Sequence, residues 1–547
     1  MTALLSRTDD PYARYGIDHF FEKSGLAFRA ELAGKPCLSV SYDAPEGGDF
    51  AIHVRKNEIR GEITGYIRAY GETVPVFERP VRTGKGEEIL GIFQSESGTF
   101  PCITLDRAGI DIGFDIFGET GHILSGRMDP VWNRTSRDVK RAIAGIPFLD
   151  FYEDLLFRAI LTGCERLGIP LVQKSAFPGG KRFAVCCTHD IDEIRKTYQW
   201  ITYPIRCVKN LDLERFRHQV RSLRSKIQGR EPYWTFGRMM ELEEELRVSS
   251  TSFFLQETAP VEVLKAGTWK HSGRRYRFDE PAVGEVISKL DAEGHEIGLH
   301  GSFNSCRDPI LLGGEKGDLE KALRHGVRGI RQHNLRLRIP ETWELQEKAG
   351  LLYDSTLGFN NATGFRWGTS HPFKPFHSGE GRTLGILELP LIIQDTALFR
   401  QPDPWGNFLR LLQQVRSHEG VLTLLWHHPV FNEDEFPGWG GMYRRMIEYC
   451  QRENAWIAPA GTIADWWEQR ARASASYEFS DGILRIKASP AMTVHHLTIR
   501  LPHSLRIAGV THARVIATDE MRAFIETDRL EEDTQVEVSF SGGAHGS

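Results

Sequence analysis

The sequence predicts an α/β fold, a closed or partly closed (β/α) barrel set between two β-rich ends. Three observations predict it. From Arg182 to about residue 470, apolar runs of strand length alternate with segments of helical period, which implies parallel strands joined by crossover helices. Five of those apolar runs lead into His, Asp, Arg or Glu, at the strand ends where a barrel builds its site. Before and after this stretch, short alternating runs are broken by Gly and Pro, as in β-hairpins and meanders.

The elements follow in order. Residues 1–180 carry CLSVSY, FAIHV and GEEILGIF, then FLDFYEDLLFRAILTGCERLG, whose apolar residues keep helical spacing up to Gly168. This is an α+β region. Residues 181–470 form the barrel. Its strand-like runs are FAVCCTHD (183–190), STSFFLQE (250–257), EIGLHGS (296–302), GVRGIRQH (326–333), ILELPLII (386–393) and VLTLLWHH (421–428). TFGRMMELEEELR, PAVGEVISKLDAEG and GDLEKALRHGVRG supply helices between them. Residues 201–232 interrupt the rhythm with Arg206, Lys209, Arg215, Arg217, Arg221, Arg224, Lys226 and Arg230, and read as a solvated helical insertion. Residues 471–547 turn β again through YEFSDGILRIKAS, LTIRLP, ARVIAT and VEVSFSGG, a small β-sandwich-like domain ending in a loose tail.

Composition narrows the function. The 547 residues hold 68 basic and 73 acidic side chains, a net charge of -5, so there is no electrostatic footprint for nucleic acid. No run of apolar residues is long enough for a spanning helix. The N-terminal apolar run, Ala3 to Leu5, is too short for a secretory signal. Cys37, Cys102, Cys164, Cys186, Cys187, Cys207, Cys306 and Cys450 form no C-x-x-C pair, which fits free thiols in a reducing compartment. A cytoplasmic location follows as the expectation, peripheral attachment at the inner membrane included.

The chemistry gathers at the strand ends. Thr188-His189-Asp190-Ile191-Asp192-Glu193 closes the first run. Asp190 and Asp192 are two apart and share a strand face, although such a cluster also serves as a helix N-cap. In Gly294-His295-Glu296-Ile297-Gly298-Leu299-His300 the two histidines are five apart and take opposite faces. His300, at the strand end, is the one expected at the mouth. Arg331-Gln332-His333, Glu388 with Asp395, and Trp426-His427-His428 close three further runs. Neutral imidazole with carboxylate is a donor set for Zn²⁺ and similar ions.

These motifs resemble the polysaccharide deacetylase (NodB-homology) superfamily, in the branch whose first motif reads T-H-D-x-D. Thr188 to Asp192 stands for that motif, Gly294 to His300 for the G-H-E-I-G-x-H motif, Arg331 for the R-x-P motif and His427 for the last motif's histidine. The stretch 353–376 and Gly438, Trp439 and Tyr443 are also similar. The resemblance covers about residues 180–470 and implies a distorted seven-stranded barrel. It implies one divalent metal ion, zinc foremost, held by Asp192 and His300. The family's next histidine is replaced by Asn304, so the third ligand is His333 or Asn304. Asp190 would be the base, Arg331 its orienting partner and His427 the acid. Trp426, Trp439 and Tyr443 are candidate sugar-stacking groups, with core packing as the other reading.

The implied activity is removal of N-acetyl groups from an amino-sugar glycan or glycan precursor, with carbohydrate as substrate. Two rivals remain. One is a glycosidase using two carboxylates such as Asp190 and Glu388. The other is a non-catalytic glycan-binding scaffold on a degenerate barrel, favoured by the missing histidine.

Overall fold

A computed structural model of the chain describes residues 8–26, 29–30, 38–42, 49–57, 62–84, 86–127, 129–130, 137–261, 273–472, 475–488, 496–500, 506–518, 522–527 and 535–541. Cys37 and the C-terminal SGGAHGS segment after its first residue lie outside them. The seven other cysteines are free and buried.

The barrel is built from parallel strands. Ala184–Ile191 pairs with Thr251–Leu255, then follow Glu296–Gly301, Gly329–Gln332 and Tyr353–Asp354, each parallel to the last. On its other side Ala184–Ile191 pairs with Val421–Leu425. The segment 387–394 closes the ring. Leu387–Glu388 pairs with Tyr353–Asp354, and Ile393–Gln394 pairs with Val421–Leu425. Counted as one crossing strand, and with the short Trp456–Ala458 strand beside Ala184–Cys186 set aside, it makes a ring of seven. The expected distorted barrel is what the chain forms.

Near-continuous apolar runs in these strands follow from burial on both faces. Every residue of Ala184–Ile191, Thr251–Leu255 and Val421–Leu425 is buried. The helices Phe236–Leu246, Pro281–Ala292 and Pro309–Leu323 stand between strands. Asp308 caps the last, its Oδ1 accepting from the amides of Ile310 and Leu311. The sequence reading missed the two-residue strand Tyr353–Asp354, which has too few residues to show a period. It also took 386–393 as one regular strand, whereas Pro390 breaks its pairing in the middle.

The N-terminal region is α+β, as expected. Seven strands form one mixed sheet. The helices Pro11–Ser24 and Ile116–Leu124 pack on each other at a pair of glycines. A Cβ on Gly16 would stand 2.0 Å from Phe117 O, and one on Gly121 2.1 Å from Tyr12 O. The long helix Phe148–Leu167 docks on the barrel through Asp150, which accepts from Ser370 N (2.9 Å), Ser370 Oγ (2.8 Å) and Thr369 Oγ1 (2.7 Å).

The C-terminal strands form two antiparallel sheets. Each takes one strand from far upstream. Arg29–Ala30 pairs with Ala475–Ser480, and Leu171–Lys174 pairs with His496–Arg500.

Candidate functional site

Strand alternation sets the site. Along Ala184–Ile191 and just beyond it, Thr188, Asp190 and Asp192 share the inner face, and His189 points outward. Outside, His189 Nε2 meets Glu243 Oε1 at 2.9 Å and its Nδ1 meets Trp426 O at 2.7 Å. His300 is inward on its strand and lies in register with Arg331 on the next. His295 takes the other face, where its Nδ1 accepts from Ser250 N at 3.2 Å.

Asp192, His300 and His333 converge on one point. His300 Nε2 is 3.1 Å and His333 Nδ1 3.3 Å from Asp192 Oδ1, and the two nitrogens are 3.2 Å apart. Among the described residues this is the one group of three or more His, Cys, Asp or Glu side chains able to hold a metal ion. The corners of a tetrahedral zinc site with bonds of about 2.0 Å stand about 3.3 Å apart, so the triangle fits one face of such a site. Two more features fit. Asp192 Oδ1 is buried and makes no well-formed hydrogen bond, facing only the two imidazole nitrogens. His300 Nδ1 donates to Arg331 O at 2.8 Å, which aims the Nε2 lone pair at the same point. Asn304 turns away, its Oδ1 accepting from Arg307 at 3.1 Å.

Asp190 stands beside this triangle. Its Oδ1 accepts from Arg331 Nη1 at 2.9 Å and its Oδ2 is 3.6 Å from His300 Nε2. The Arg331 guanidinium is fully buried and held on every side. It donates to Thr188 Oγ1 (2.7 Å), Ser355 O (2.8 Å) and Ser355 Oγ (2.9 Å), above the Phe253 ring. Burial pushes the Asp190 carboxyl up, but His300 and Arg331 outweigh it and hold it below the usual carboxylate range. Asp192 is likewise lowered, against its burial, by Arg274 and His333.

His427 follows the last strand. Its Nδ1 is 3.0 Å from both oxygens of Asp395, whose Oδ2 also accepts from His427 N at 2.6 Å. Burial opposes its charged form, yet Asp395 outweighs burial and raises the pKa to about 10. The imidazolium is therefore the resting form at neutral pH. Its neighbour His428 is buried behind the strand, stacked on Phe236 with 4.8 Å between ring centres. Burial lowers the pKa of His428 to about 3.

Two site residues escaped the sequence reading in their role. Asp395 stands in the sequence only as a carboxylate following Glu388, yet it is the partner of His427. Arg274 comes from an irregular segment with no periodic signal. Its Nη2 is 3.1 Å from Asp192 Oδ2, its Nε donates to Glu193 Oε1 at 2.9 Å, and its Nη1 contacts His333 Nε2.

Several candidates are placed elsewhere. Trp426 and Tyr443 are fully buried core residues, and Tyr443 Oη donates to Glu243 Oε1 at 2.6 Å. Trp439 is half-buried and stacked on Phe399 at 4.0 Å. Glu388 is buried in a pair with Asp354, both accepting from Trp343 Nε1, at 2.9 and 3.1 Å. That leaves it no part in a two-carboxylate site with Asp190.

No family model and no curated protein matches the chain. Solved structures similar to it include a Mycobacterium smegmatis protein named as a polysaccharide deacetylase, at 20% identity and TM-score 0.36 over 54% of this chain and 93% of that one. Puue allantoinase is similar at 15% identity and TM-score 0.35, over 54% and 93%. A CE4 family pseudoenzyme from Bacillus anthracis is similar at 12% identity and TM-score 0.28, over 52% and 66%. Polysaccharide deacetylases thus stand among the solved structures that this chain resembles.

Proposed function

We propose that the chain is a metal-dependent hydrolase that removes N-acetyl groups from an amino-sugar glycan or a glycan precursor. The barrel of residues 181–470 carries the chemistry, and residues 1–180 and 471–547 flank it as modules without catalytic groups. The observation that carries this reading is the Asp192–His300–His333 triangle, with the Asp190 carboxylate beside it and the His427 imidazolium within electrostatic reach of Asp190 and Asp192.

Asp192, His300 and His333 would hold one divalent ion, zinc by the fit of the triangle. Such an ion, when bound, polarises an acyl oxygen and lowers the pKa of water. Asp190 stays ionised, because His300 and Arg331 stabilise its charge against burial, and so can take a proton from a water beside the triangle. Arg331 is a positioning residue that fixes the Asp190 carboxylate through Oδ1 and leaves Oδ2 turned to the site. His427 is cationic at neutral pH and can give its proton to a leaving amine. Asp395 holds its Nδ1, so Nε2 is the nitrogen left to face substrate.

The test is acetate release from an N-acetylated oligosaccharide by protein of measured metal content, with and without chelator. Chelator-sensitive release is expected; release that survives complete metal removal would overturn the assignment. A second reading, a non-catalytic glycan-binding barrel, draws on one observation, the Arg274 cation seated against Asp192 and His333. A metal-free protein that binds the oligosaccharide without cleaving it would favour that reading.

A further inference from the structure

The basic insertion is an amphipathic hairpin turned inside out. It consists of the helices Gln199–Lys209 and Leu213–Ile227, packed on each other. Leu213, Phe216, Val220, Leu223 and Ile227 recur at the spacing of a single helix stripe, and all five are exposed. Ile201, Ile205 and Val208 make a second exposed stripe on the first helix. Leu211 at the tip is 86% exposed.

The polar face of the second helix is the one turned to the protein. His218 Nδ1 lies 3.1 Å from Asp434 O, Ser225 Oγ donates to Asp434 Oδ2 at 2.8 Å, and Lys196 Nζ donates to Gln219 Oε1 at 2.7 Å. A hairpin meant only for water would bury its leucines and expose its serines. Half or more of the large exposed apolar side chains of the described residues, nine of seventeen, sit on this one hairpin. Such concentration marks a docking surface.

Charge identifies the occupant. Residues 199–230 hold eight Lys or Arg against two Asp or Glu, a net +6 in a chain of net -5. Around the second helix, Arg217, Arg221 and Arg224 flank the apolar stripe on one side, and Arg215 and Lys226 on the other. A stripe of apolar residues between two rows of cations is the pattern of a helix lying in a lipid interface. Two copies of the hairpin would set like charge against like charge, which disfavours self-association. We infer that the 199–230 hairpin docks on the surface of an anionic lipid bilayer, its apolar stripes among the acyl chains and its cations on the headgroups.

The hairpin roots at the same strand end as Asp192. Lys196, four residues on, holds the second helix, and Tyr198 Oη donates to Glu193 Oε1 at 3.1 Å. Docking would therefore set the barrel mouth beside the membrane.

The experiment is co-sedimentation of the full chain with vesicles of phosphatidylcholine alone or phosphatidylcholine with phosphatidylglycerol. Binding to the anionic vesicles, weakened by salt, is expected. Arg217→Glu with Arg224→Glu should cut partitioning about 30-fold or more, and Leu223→Glu with Ile227→Glu should also abolish it. Both pairs are exposed, and circular dichroism checks that each variant is folded. Equal binding to neutral vesicles, no binding to either, or unchanged binding by the folded variants would overturn the inference. So would light scattering that shows a dimer lost in Leu223→Glu, since the stripe would then cover a second copy.

Discussion

Arg274 touches two of the three residues that converge on the candidate metal point, Asp192 through Oδ2 and His333 through Nε2. Burial first, then Arg274, lowers the pKa of His333 to about 4, so its ring is neutral. An arginine N–H can only donate, so Nε2 is the acceptor and the ring proton is on Nδ1. That is the atom 3.3 Å from Asp192 Oδ1 and turned to the metal point. A cation bound through Nδ1 requires the proton at Nε2, where the Arg274 N–H already points. Loading the site therefore displaces Arg274. Arg274→Ala should bind zinc about tenfold tighter or better, by removal of a like charge at contact distance. Titration calorimetry of the metal-free protein measures this, and equal or weaker binding would show that Arg274 is no competitor.

The ligand assignment has a direct test. His300→Ala and His333→Ala should each lose metal after dialysis, and Asn304→Ala should keep it, because its amide oxygen is engaged by Arg307. Metal analysis of the purified variants gives the stoichiometry. Retention in both histidine variants would remove the triangle as the site.

Asp190→Asn should lower turnover by about 10²–10⁴-fold with the metal retained. Arg331→Met removes the guanidinium that bonds the buried Asp190 carboxylate and leaves it the longer 3.6 Å contact with His300. It should cost about 3–5 kcal/mol of stability. It should also move the acid limb of the pH–rate profile upward, since Arg331 is one of the groups that lower the Asp190 pKa. A stable Arg331→Met variant with an unmoved acid limb would show that Arg331 does not position the base.

Much of this site was legible because strand alternation is a strict rule. Spacing alone puts Asp190 and Asp192 on one face and sets His300 opposite His295, and its place at the strand end points His300 to the mouth; in the structure the three side chains meet. Asp395 was not legible as a partner, because the segment 387–394 changes its pairing neighbour midway and has no single register. Arg274 could not be found, since an irregular loop has no period. The hairpin is different. Its apolar spacing from Leu213 to Ile227 is plain in the sequence, but a basic run reads first as a solvated face. Only the packing of His218 and Ser225 on Asp434 shows which face is outward. The pairing of Leu171–Lys174 with His496–Arg500 is long-range, and no local pattern announces it.

Glu388 separates the deacetylase from the glycosidase. Burial first, then Asp354, raises its pKa well above the usual carboxylate range, and Asp354 is itself raised to about 6. The two carboxyls thus share a proton around Trp343. Glu388→Gln keeps an oxygen for the Leu357 amide, which now donates to Glu388 Oε1 at 2.9 Å, and offers an amide N–H to Asp354. It should leave turnover within about twofold, as befits a change away from the reacting groups. A loss of about 10²-fold or more would restore Glu388 as a reacting carboxyl.

The pair of His427 and Asp395 makes the sharpest pH prediction. The folded-state pKa of His427 is raised to about 10 from an ordinary value of 6.5. If His427 is the acid, activity holds while it is protonated and falls as pH rises through about 10. Stability moves the same way. A raised pKa means that the native state binds the proton more tightly than the unfolded chain does. The contribution is complete below pH 6.5 and is lost between 6.5 and about 10. Asp395→Asn keeps an acceptor for the His427 backbone amide but removes the charge that holds the proton. The alkaline limb should then move down by about 1–3 pH units, and the stability lost over that window should shrink. Rate profiles and chemical denaturation at a series of pH values measure both. If Asp395→Asn leaves the alkaline limb in place while a folded His427→Gln variant keeps full turnover, the leaving amine takes its proton from another group, and His427 is not the acid.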